Sequence, residues 1–241
     1  VLVSGLTALK CTMYRFHTKY HVHSPGFARR PSTPSAPELN ADTALLNDLQ
    51  RQMAALREGA GDSVDILLDM NFNFKTEGYL RVIRALKQFN LLWFELDLFN
   101  PEALAYIRQQ GNETIASCES LYGHREFRRY FEAQSMDVAI VDIPWNGAWQ
   151  SYKIAAIADA YETNVAPHNF YGHLCTMMSA HLCAAIPNFR IMEIDVDDVP
   201  WRDDLVTDVP LIENGMLTIP DRPGWGTDIN EDAIAAHPVV R

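Results

Sequence analysis

The sequence has no apolar run long enough to cross a membrane. A membrane-spanning helix needs ~18 or more consecutive apolar residues, and no uninterrupted stretch of this chain reaches that length. The N-terminal residues also lack the pattern of a signal peptide, in which a basic segment precedes an apolar one. We therefore expect that the chain has no membrane partner and that it is cytoplasmic.

Cysteine is scarce, and the few cysteines are not spaced as metal or redox motifs. Only four occur in 241 residues, and none stands in a Cys-x-x-Cys spacing. Three of them lie in or beside apolar runs, so we interpret all four as reduced, buried thiols and not as disulfides or a zinc site. The four are Cys11, Cys118, Cys175 and Cys183.

Positive charge is also in deficit, because the formal net charge is −11. Nucleic acids attract basic surfaces, so this balance argues against a nucleic-acid partner. A small anionic substrate is not excluded, since a bound metal ion can reverse the local field.

The chain has 241 residues and is 48% hydrophobic, which suits one domain the size of an α/β barrel, roughly 250 residues.

What the sequence does contain is a repeat of six short apolar runs, each of which ends in an ionisable residue. The runs are spaced 23 to 26 residues apart, and they end at Asp69, Glu95, Glu119, Asp142, His168 and Glu193. Short Val-, Ile- and Leu-rich runs without polar alternation are typical of strands buried on both faces of a parallel sheet. Each intervening segment is long enough for one helix, so the repeat predicts the βα units of a barrel.

Helices and an opening strand fit the same pattern. Thr43–Arg57 carries apolar residues on one helical face, and helices are also predicted over Thr76–Phe89 and His124–Gln134. Asn100 before Pro101 is a good N-cap followed by a good first helical residue. Leu6–Thr12 predicts a strand almost at the first residue.

Two segments do not fit the repeat. His17–Asp42 contains four prolines, and we predict a long loop there. The last part of the chain, residues 196–241, is rich in Pro, Gly and Asp and predicts an irregular tail with a short hairpin at Leu211–Ile219. We therefore divide the chain into a barrel domain, residues 1–195, and this tail, which we expect to pack on the barrel or on a cap.

The six ionisable residues predict a shared cavity. In a barrel of this kind the C-terminal ends of the parallel strands converge on one mouth, where the active site lies. Gathered carboxylates repel one another and lose solvation, so such a cluster persists mainly when a cation neutralises it. Taken singly, each acid could also be a solvated strand end or a helix N-cap. The pattern Asp69-x-Asn71 offers oxygen ligands, which suit a hard cation such as Mg²⁺.

A histidine, a lysine and further acids complete the candidate site. His168 beside Asp142 suggests a general base whose tautomer the carboxylate fixes, although a core histidine is the simpler interpretation of His168 alone. Glu193 faces the same mouth and could return a proton. Lys10, near the end of the first strand, is a candidate base or electrophile, or a surface lysine.

Four other histidines receive weaker interpretations. His21 and His23 could reach a substrate from the predicted loop, but we favour a solvated loop. His173 and His181 fall in a helical region, and we assign them no role.

At these residues the sequence resembles the mandelate racemase branch of the enolase superfamily, over most of the chain. Each motif alone is weak, but the set in this order is specific. The motifs are ALKCT, LLDMN, WFE, CES, VDIPWNG, APHNF, the segment SAHLCAAIPNFRIME and the tail motif IPDRPGWG.

The resemblance implies a set of roles for these residues. It implies a Mg²⁺ ion held by Asp69, Glu95 and Glu119. It also implies a His168–Asp142 dyad that abstracts the proton α to the carboxylate of a small-molecule substrate. The same likeness makes Lys10 the electrophile and Glu193 a hydrogen-bonding acid on the substrate carboxylate.

Departures from the family pattern narrow the expected reaction. The family's Lys-x-Lys motif here has Thr12 in place of its second lysine, so only one face of a substrate has a clear base. We therefore predict a Mg²⁺-dependent dehydratase of a sugar acid. The alternatives are a racemase or epimerase with Tyr14 or His17 as second base, and a catalytically inactive, truncated member. Asp97 could be an additional ligand, but we favour a solvated loop acid.

From this resemblance we expect the family's N-terminal α+β capping domain and its first barrel strand to be missing from this sequence. The expected fold is therefore α/β, a TIM-like (β/α)₇β barrel that is incomplete at its N-terminus. Whether the chain forms a homo-oligomer is left open.

Overall fold

The computed structural model describes residues 5–16, 20–24, 41–195 and 199–238. Its strands are β1 Ala8–Thr12, β2 Tyr14–Phe16, β3 Tyr20–Val22, β4 Asp65–Asp69, β5 Trp93–Glu95, β6 Ile115–Ser117, β7 Val138–Asp142, β8 Asn164–His168, β9 Ile212–Glu213 and β10 Met216–Leu217. Its α-helices are α1 Thr43–Ala60, α2 Thr76–Leu86, α3 Pro101–Gly111, α4 Gly123–Glu132, α5 Ile143–Ala160, α6 His173–Ala185 and α7 Glu231–Ala236.

The main sheet is parallel and contains six strands in the order β1-β4-β5-β6-β7-β8. The strands are in a register that places predicted site residues side by side. Asp69 pairs with Glu95 across β4 and β5, and Asp142 pairs with His168 across β7 and β8. The ionisable residues therefore gather at the C-terminal ends of the strands, and the predicted incomplete α/β barrel is confirmed.

The sixth predicted strand, which ends at Glu193, is the main difference from the expected sheet. Beyond β8 there is one isolated parallel bridge, between Val165 and Phe189. It is supported by hydrogen bonds from Val165 N–H to Asn188 O at 2.8 Å and from Arg190 N–H to Val165 O at 2.9 Å. Residues 190–195 have no regular secondary structure, so the run that ends at Glu193 does not form a strand.

Two apolar clusters cover the two faces of the sheet. A small cluster comprises Leu67, Trp93, Ala116, Val138, Ile140 and Ala166. A much larger cluster lies between the strands and the helices, and it includes Leu45, Leu49, Phe94 and Phe127. Because residues alternate between faces along a strand, Trp93 and Phe94 contribute to different clusters. Strands β5, β6 and β7 are buried throughout, and β4 and β8 are buried between their ends, as their unbroken apolar runs predicted, whereas β1 is only partly buried.

The helices follow the predicted segments, with shifts of a few residues at their ends. Asp42 accepts a hydrogen bond from Leu45 N–H at 2.7 Å and caps α1, which extends to Ala60. The predicted cap of α3 is confirmed, because Asn100 Oδ1 accepts from Ala103 N–H at 2.7 Å. The predicted second helix ends at Leu86, and a short 3₁₀ turn continues it over Lys87–Phe89.

The predicted long loop, His17–Asp42, is wrong in one part. Tyr20–Val22 forms strand β3, which pairs antiparallel with β2. The prolines that suggested a loop all lie beyond residue 24, so they do not oppose pairing at residues 20–22. Residues 17–19 and 25–40 lie outside the described residues.

The C-terminal segment contains the predicted hairpin, formed by β9 and β10, and also α7, which the sequence did not predict. Its contacts with helix α6 use two histidines to which we assigned no role. His173 Nε2 lies 2.6 Å from Asp203 Oδ1, and His181 Nε2 lies 3.3 Å from the carbonyl oxygen of Trp225. The predicted boundary between the barrel domain and the tail, at residues 195/196, adjoins residues that the structure does not describe, so it stays a prediction.

The structure can be compared with the expectations about cysteines and about membrane-spanning helices. All four cysteines are free; Cys118 and Cys175 are buried, whereas Cys11 and Cys183 are partly buried. Within the ranges described above, no helix has both the length and the apolar character needed to cross a membrane.

Candidate functional site

Three carboxylates converge at the C-terminal ends of the strands. Asp69 ends β4, Glu95 ends β5, and Glu119 lies two residues after β6. Each offers one oxygen atom, and the three oxygen atoms lie within 4.8 Å of one another. The parallel register of β4 and β5 places Asp69 beside Glu95, and the turn after β6 brings Glu119 to them.

The environment of these carboxylates disfavours their negative charge. Burial raises the pKa of Asp69 well above its ordinary value, and the charge of Glu95 adds to the effect while Lys10 opposes it. Burial likewise raises the pKa of Glu95, against the opposing effect of Lys10. Burial raises the pKa of Glu119 to about 7, although His168 opposes the shift. A cation between the three oxygens would remove this penalty.

These donors fit a magnesium ion. Mg²⁺ prefers oxygen ligands at roughly 2.0–2.1 Å, and the three carboxylate oxygens lie within 4.8 Å of one another, close enough for one ion to lie among them. The donor set contains only oxygen, with neither thiolate nor imidazole, which suits a hard cation. Asp69, Glu95 and Glu119 are therefore the residues that would hold it.

Lys10 lies beside this cluster and joins it to Glu193. Its Nζ is 2.6 Å from Glu193 Oε1, 3.2 Å from Glu95 Oε1 and 4.0 Å from Asp69 Oδ2. Burial alone would lower the pKa of Lys10, but Glu95, Glu193 and Asp69 together raise it well above its ordinary value. Lys10 is therefore an ammonium ion here, which favours an electrophile over a base.

Glu193 reaches the site although it is not in a strand. Burial would raise its pKa, but Lys10 and His168 lower it below its ordinary value. Asn169 holds Glu193 in place, because its backbone N–H donates to Glu193 Oε2 at 3.0 Å and its side-chain amide donates to the Glu193 carbonyl at 2.9 Å. Glu193 is thus a carboxylate that pairs with Lys10, and its role as an acid toward substrate stays a prediction.

His168 and Asp142 form the predicted pair. The Nδ1 atom of His168 lies 2.8 Å from Asp142 Oδ2, and its Nε2 atom lies 3.4 Å from Glu119 Oε1. Burial would lower the pKa of His168, but the hydrogen bond to Asp142 and the charge of Glu119 raise it. The ring is therefore oriented by the buried Asp142 carboxylate, with its other nitrogen toward the three carboxylates.

Tyr171 and Trp93, to which the sequence analysis gave no role, also orient residues of the site. The hydroxyl of Tyr171 donates to Asp142 Oδ2 at 2.8 Å, and its ring packs edge-on against His168 with centroids 5.4 Å apart. The indole N–H of Trp93 donates to Glu95 Oε2 at 3.2 Å. Tyr171 lies three residues after His168, which is the one local signal that could have suggested it.

Asp97 is not the solvated loop acid that we predicted. It is buried, and its carboxylate accepts hydrogen bonds from Ser117, Cys118 and Ser120. The sequence shows only a polar residue after a strand, whereas the fold places the β6 turn directly over it.

The remaining candidates from the sequence are Tyr14, His17, His21 and His23. Tyr14, a suggested second base, is in β2, and His17 lies outside the described residues. His21 is exposed, as we expected of a solvated segment, whereas His23 is partly buried and stacks on Phe74 with ring centroids 6.0 Å apart.

A pH dependence of metal binding follows from the pKa of Glu119. Because that pKa is about 7 and a metal ligand must be deprotonated, Mg²⁺ binding should displace a proton in more acidic buffer. The Mg²⁺ dissociation constant should rise roughly tenfold per pH unit below about pH 7, and it should level off above pH 8. Calorimetric titration in buffers of different ionisation enthalpy measures both the affinity and the protons released. A dissociation constant that is flat from pH 5.5 to 8 would contradict this assignment.

Comparison with known proteins places this geometry in a family. The model of the enolase C-terminal domain-like family matches residues 15–233. The D-xylonate dehydratase of Haloferax volcanii is 33% identical over 188 residues, which are 77% of this chain and 46% of that protein. The D-gluconate dehydratase of Thermoproteus tenax is 28% identical over 209 residues, which are 85% of this chain and 42% of that protein. The chain therefore spans less than half the length of these two relatives.

Solved structures show the same fold. A Burkholderia xenovorans protein, provisionally assigned as an L-alanine-DL-glutamate epimerase and bound to magnesium and fumarate, is 52% identical with a TM-score of 0.93, covering 98% of this chain and 58% of that one. A mandelate racemase/muconate lactonizing enzyme-like protein from Rubrobacter xylanophilus is 26% identical with a TM-score of 0.85, again covering 98% of this chain and 58% of that one.

Proposed function

The chain belongs to the enolase C-terminal domain-like family, and from this we propose that it carries the catalytic residues of a magnesium-dependent dehydratase of sugar acids. Two of its relatives are dehydratases of D-xylonate and D-gluconate. The proposed reaction removes the α-proton of a 2,3-dihydroxy carboxylate and then the 3-hydroxyl group, giving a 2-keto-3-deoxy acid.

The observation that carries this proposal is the position of one imidazole nitrogen. His168 Nε2 lies 3.4 Å from Glu119 Oε1, at the edge of the three carboxylates that would hold the ion. We propose that a substrate held by these residues presents its α-proton to this nitrogen. A general base has to lie within hydrogen-bond reach of the proton it removes.

His168 and Asp142 are proposed to remove the α-proton. With Nδ1 hydrogen-bonded to Asp142 at 2.8 Å, the neutral imidazole keeps its lone pair on Nε2, and the carboxylate stabilises the imidazolium that forms. Tyr171 also donates to Asp142 Oδ2, which restrains the carboxylate while the charge on the ring changes.

Lys10 is proposed to stabilise the negative charge that develops on the substrate carboxylate. Its ammonium group is partly buried between Glu95 and Glu193, so it is held in place before substrate binds. When bound, the divalent cation polarises the substrate carboxylate and so acidifies the α-proton. Groups positioned in advance of the reaction lower the barrier without a reorganisation cost.

The second step is loss of water from the same face. The proton now on His168 Nε2 passes to the 3-hydroxyl group, whose C–O bond breaks as the electron pair from the α-carbon forms the C=C bond. The resulting enol loses its hydroxyl proton and takes up a proton at C3, which gives the 2-keto-3-deoxy acid. One histidine thus serves as base and then as acid, and the net change is the loss of one water molecule.

An epimerase is the second candidate, because the 52% identical Burkholderia protein is provisionally assigned as one. Epimerisation needs a second acid or base on the opposite face of the substrate. Lys10 is held as an ammonium ion by three carboxylates, and Thr12 stands where the family has a second lysine. These features support dehydration over epimerisation.

The test is a substrate screen in D₂O with magnesium or with EDTA. Pentonates, hexonates and aldarates are incubated with the protein, and 2-keto-3-deoxy acid is measured as its semicarbazone. L-Ala-L-Glu is included as an epimerase substrate. Product that forms only with magnesium supports the proposal.

Two other outcomes would reject it. Deuterium at the α-carbon of recovered substrate, without keto acid, would assign an epimerase. Failure of Mg²⁺ to bind in a calorimetric titration, together with no turnover, would identify an inactive member of the family.

A further inference from the structure

The carboxylate of Asp97 accepts three hydrogen bonds from the turn that contains Glu119. Its Oδ1 accepts from the hydroxyl of Ser117 at 3.0 Å and from the backbone N–H of Cys118 at 2.7 Å. Its Oδ2 accepts from the backbone N–H of Ser120 at 3.2 Å. The three donors flank Glu119 on both sides, so one buried carboxylate holds the backbone before and after it.

The turn needs this support because its backbone is strained. Cys118 has a φ of 89°, in the left-handed region that residues other than glycine occupy at a cost. This residue immediately precedes Glu119, so its backbone angles set the direction in which the Glu119 side chain leaves the chain. The bond from Cys118 N–H to Asp97, at 2.7 Å, is the shortest of the three.

Asp97 is also connected to the other carboxylates of the cluster. Its backbone N–H donates to Asn71 O at 3.2 Å, and both the backbone N–H and the side-chain amide of Asn71 donate to Asp69 Oδ1 at 2.8 Å. Glu95 lies two residues before Asp97 in the same segment. One chain of contacts therefore runs from Asp69 through Asn71 and Asp97 to the turn of Glu119.

We infer that Asp97 is a positioning residue that sets Glu119 against Asp69 and Glu95, so that the three carboxylates can share one cation. The identity of the cation rests on the proposed function; the positioning of Glu119 does not. Asp97 is not itself an additional ligand, because both of its oxygen atoms already accept hydrogen bonds from the turn.

Two substitutions remove these bonds in steps. Asp97→Ala removes all three, and Asp97→Asn keeps an oxygen at the Oδ1 position but places an NH₂ group against Ser120 N–H. Loss of an outer hydrogen-bonding partner of a metal ligand typically weakens metal binding 10–100-fold. We expect the Mg²⁺ dissociation constant to rise by roughly that factor in Asp97→Ala and roughly fivefold in Asp97→Asn, which loses one hydrogen bond.

A second measurement needs no metal. Amide hydrogen exchange of Cys118 and Ser120, in EDTA, should be roughly tenfold faster in Asp97→Ala than in the parent protein. If the parent protein binds no Mg²⁺, the proposed function fails while faster exchange at these two amides still supports the positioning role. Unchanged exchange at both amides overturns the inference whatever the metal does.

Asp137→Ala is the matched control. Asp137 Oδ2 accepts from Ile115 N–H at 2.9 Å, and Oδ1 accepts from Arg108 Nε at 2.8 Å. It thus supports the opposite end of the same strand, β6, and its removal should lower the melting temperature without changing Mg²⁺ affinity.

If Asp97→Ala lowers only the melting temperature, as Asp137→Ala does, Asp97 is merely structural. If Asp97→Ala does not fold, Asp97→Asn decides, and parental Mg²⁺ affinity together with parental exchange at Ser120 overturns the inference.

Discussion

His168→Asn is expected to lower both keto-acid formation and α-proton exchange by roughly 10²–10⁴-fold, the usual contribution of a general base. Asparagine is close in size to histidine, and its amide can still donate to Asp142, so the pair at 2.8 Å is replaced and not simply lost. What disappears is the basic nitrogen at the Nε2 position. Product formation from the acid sugars and loss of α-deuterium from labelled substrate measure the two steps separately.

The matched control is His181→Asn, on helix α6. His181 Nε2 lies 3.3 Å from the carbonyl oxygen of Trp225, so this substitution alters a contact with the C-terminal segment and leaves the strand ends untouched. Its rate should stay within about twofold of the parent rate, as expected for a change away from the reacting groups. Mg²⁺ affinity should be near the parental value in both variants. Exchange that persists at the parental rate in His168→Asn would transfer the role of base to another group.

Most of the fold and most of the cluster could be predicted from the sequence because both depend on short-range patterns. An apolar run followed by a charged residue is visible in the chain, and in a parallel sheet every such end lies at the same edge. That rule places Asp69, Glu95, Asp142 and His168 without any knowledge of distant contacts. The helix cap at Asn100 is equally local, since one side chain satisfies a backbone N–H three residues away.

The parts that were missed depend on contacts between distant segments. Asp97 follows a strand as many solvated acids do, and only the turn 20 to 23 residues further on makes it a buried acceptor. Strand β3, Tyr20–Val22, was predicted as loop because of prolines that lie further along the same segment. Glu193 was predicted in a strand because its run is apolar, yet beyond Arg190 that run forms no ladder with β8, and hydrogen bonds from Asn169 hold Glu193 in the site instead.

Glu119→Gln is expected to weaken Mg²⁺ binding by more than about 100-fold, beyond the 10–100-fold that loss of an outer partner costs. Glutamine preserves the shape of the side chain but removes one of three negative charges whose oxygens lie within 4.8 Å. Glu113→Gln is the matched control, since Glu113 lies just before β6 at the opposite end of that strand and pairs with Lys87 at 3.3 Å. Calorimetric titration of both variants at pH 8 measures the difference. Equal affinities would remove Glu119 from the ligand set.

Glu119→Gln should also raise the free energy of unfolding when no cation is added. This increase would distinguish the loss of a metal ligand from damage to the fold. The folded-state pKa of Glu119 is raised from 4.5 to about 7, so the folded state loses stability as the pH rises from about 4.5 to about 7, and the full loss persists above that range. Below about pH 4.5 the parent carboxyl is neutral, like the glutamine, and the two proteins should unfold at similar temperatures. At pH 8 in EDTA the variant should be more stable by roughly 1–3 kcal/mol. Added Mg²⁺ should raise the melting temperature of the parent by mass action and leave that of the variant unchanged. A variant that is less stable than the parent in EDTA at pH 8 would mean that Glu119 stabilises the fold and that its charge has no cost in stability when the cation is absent.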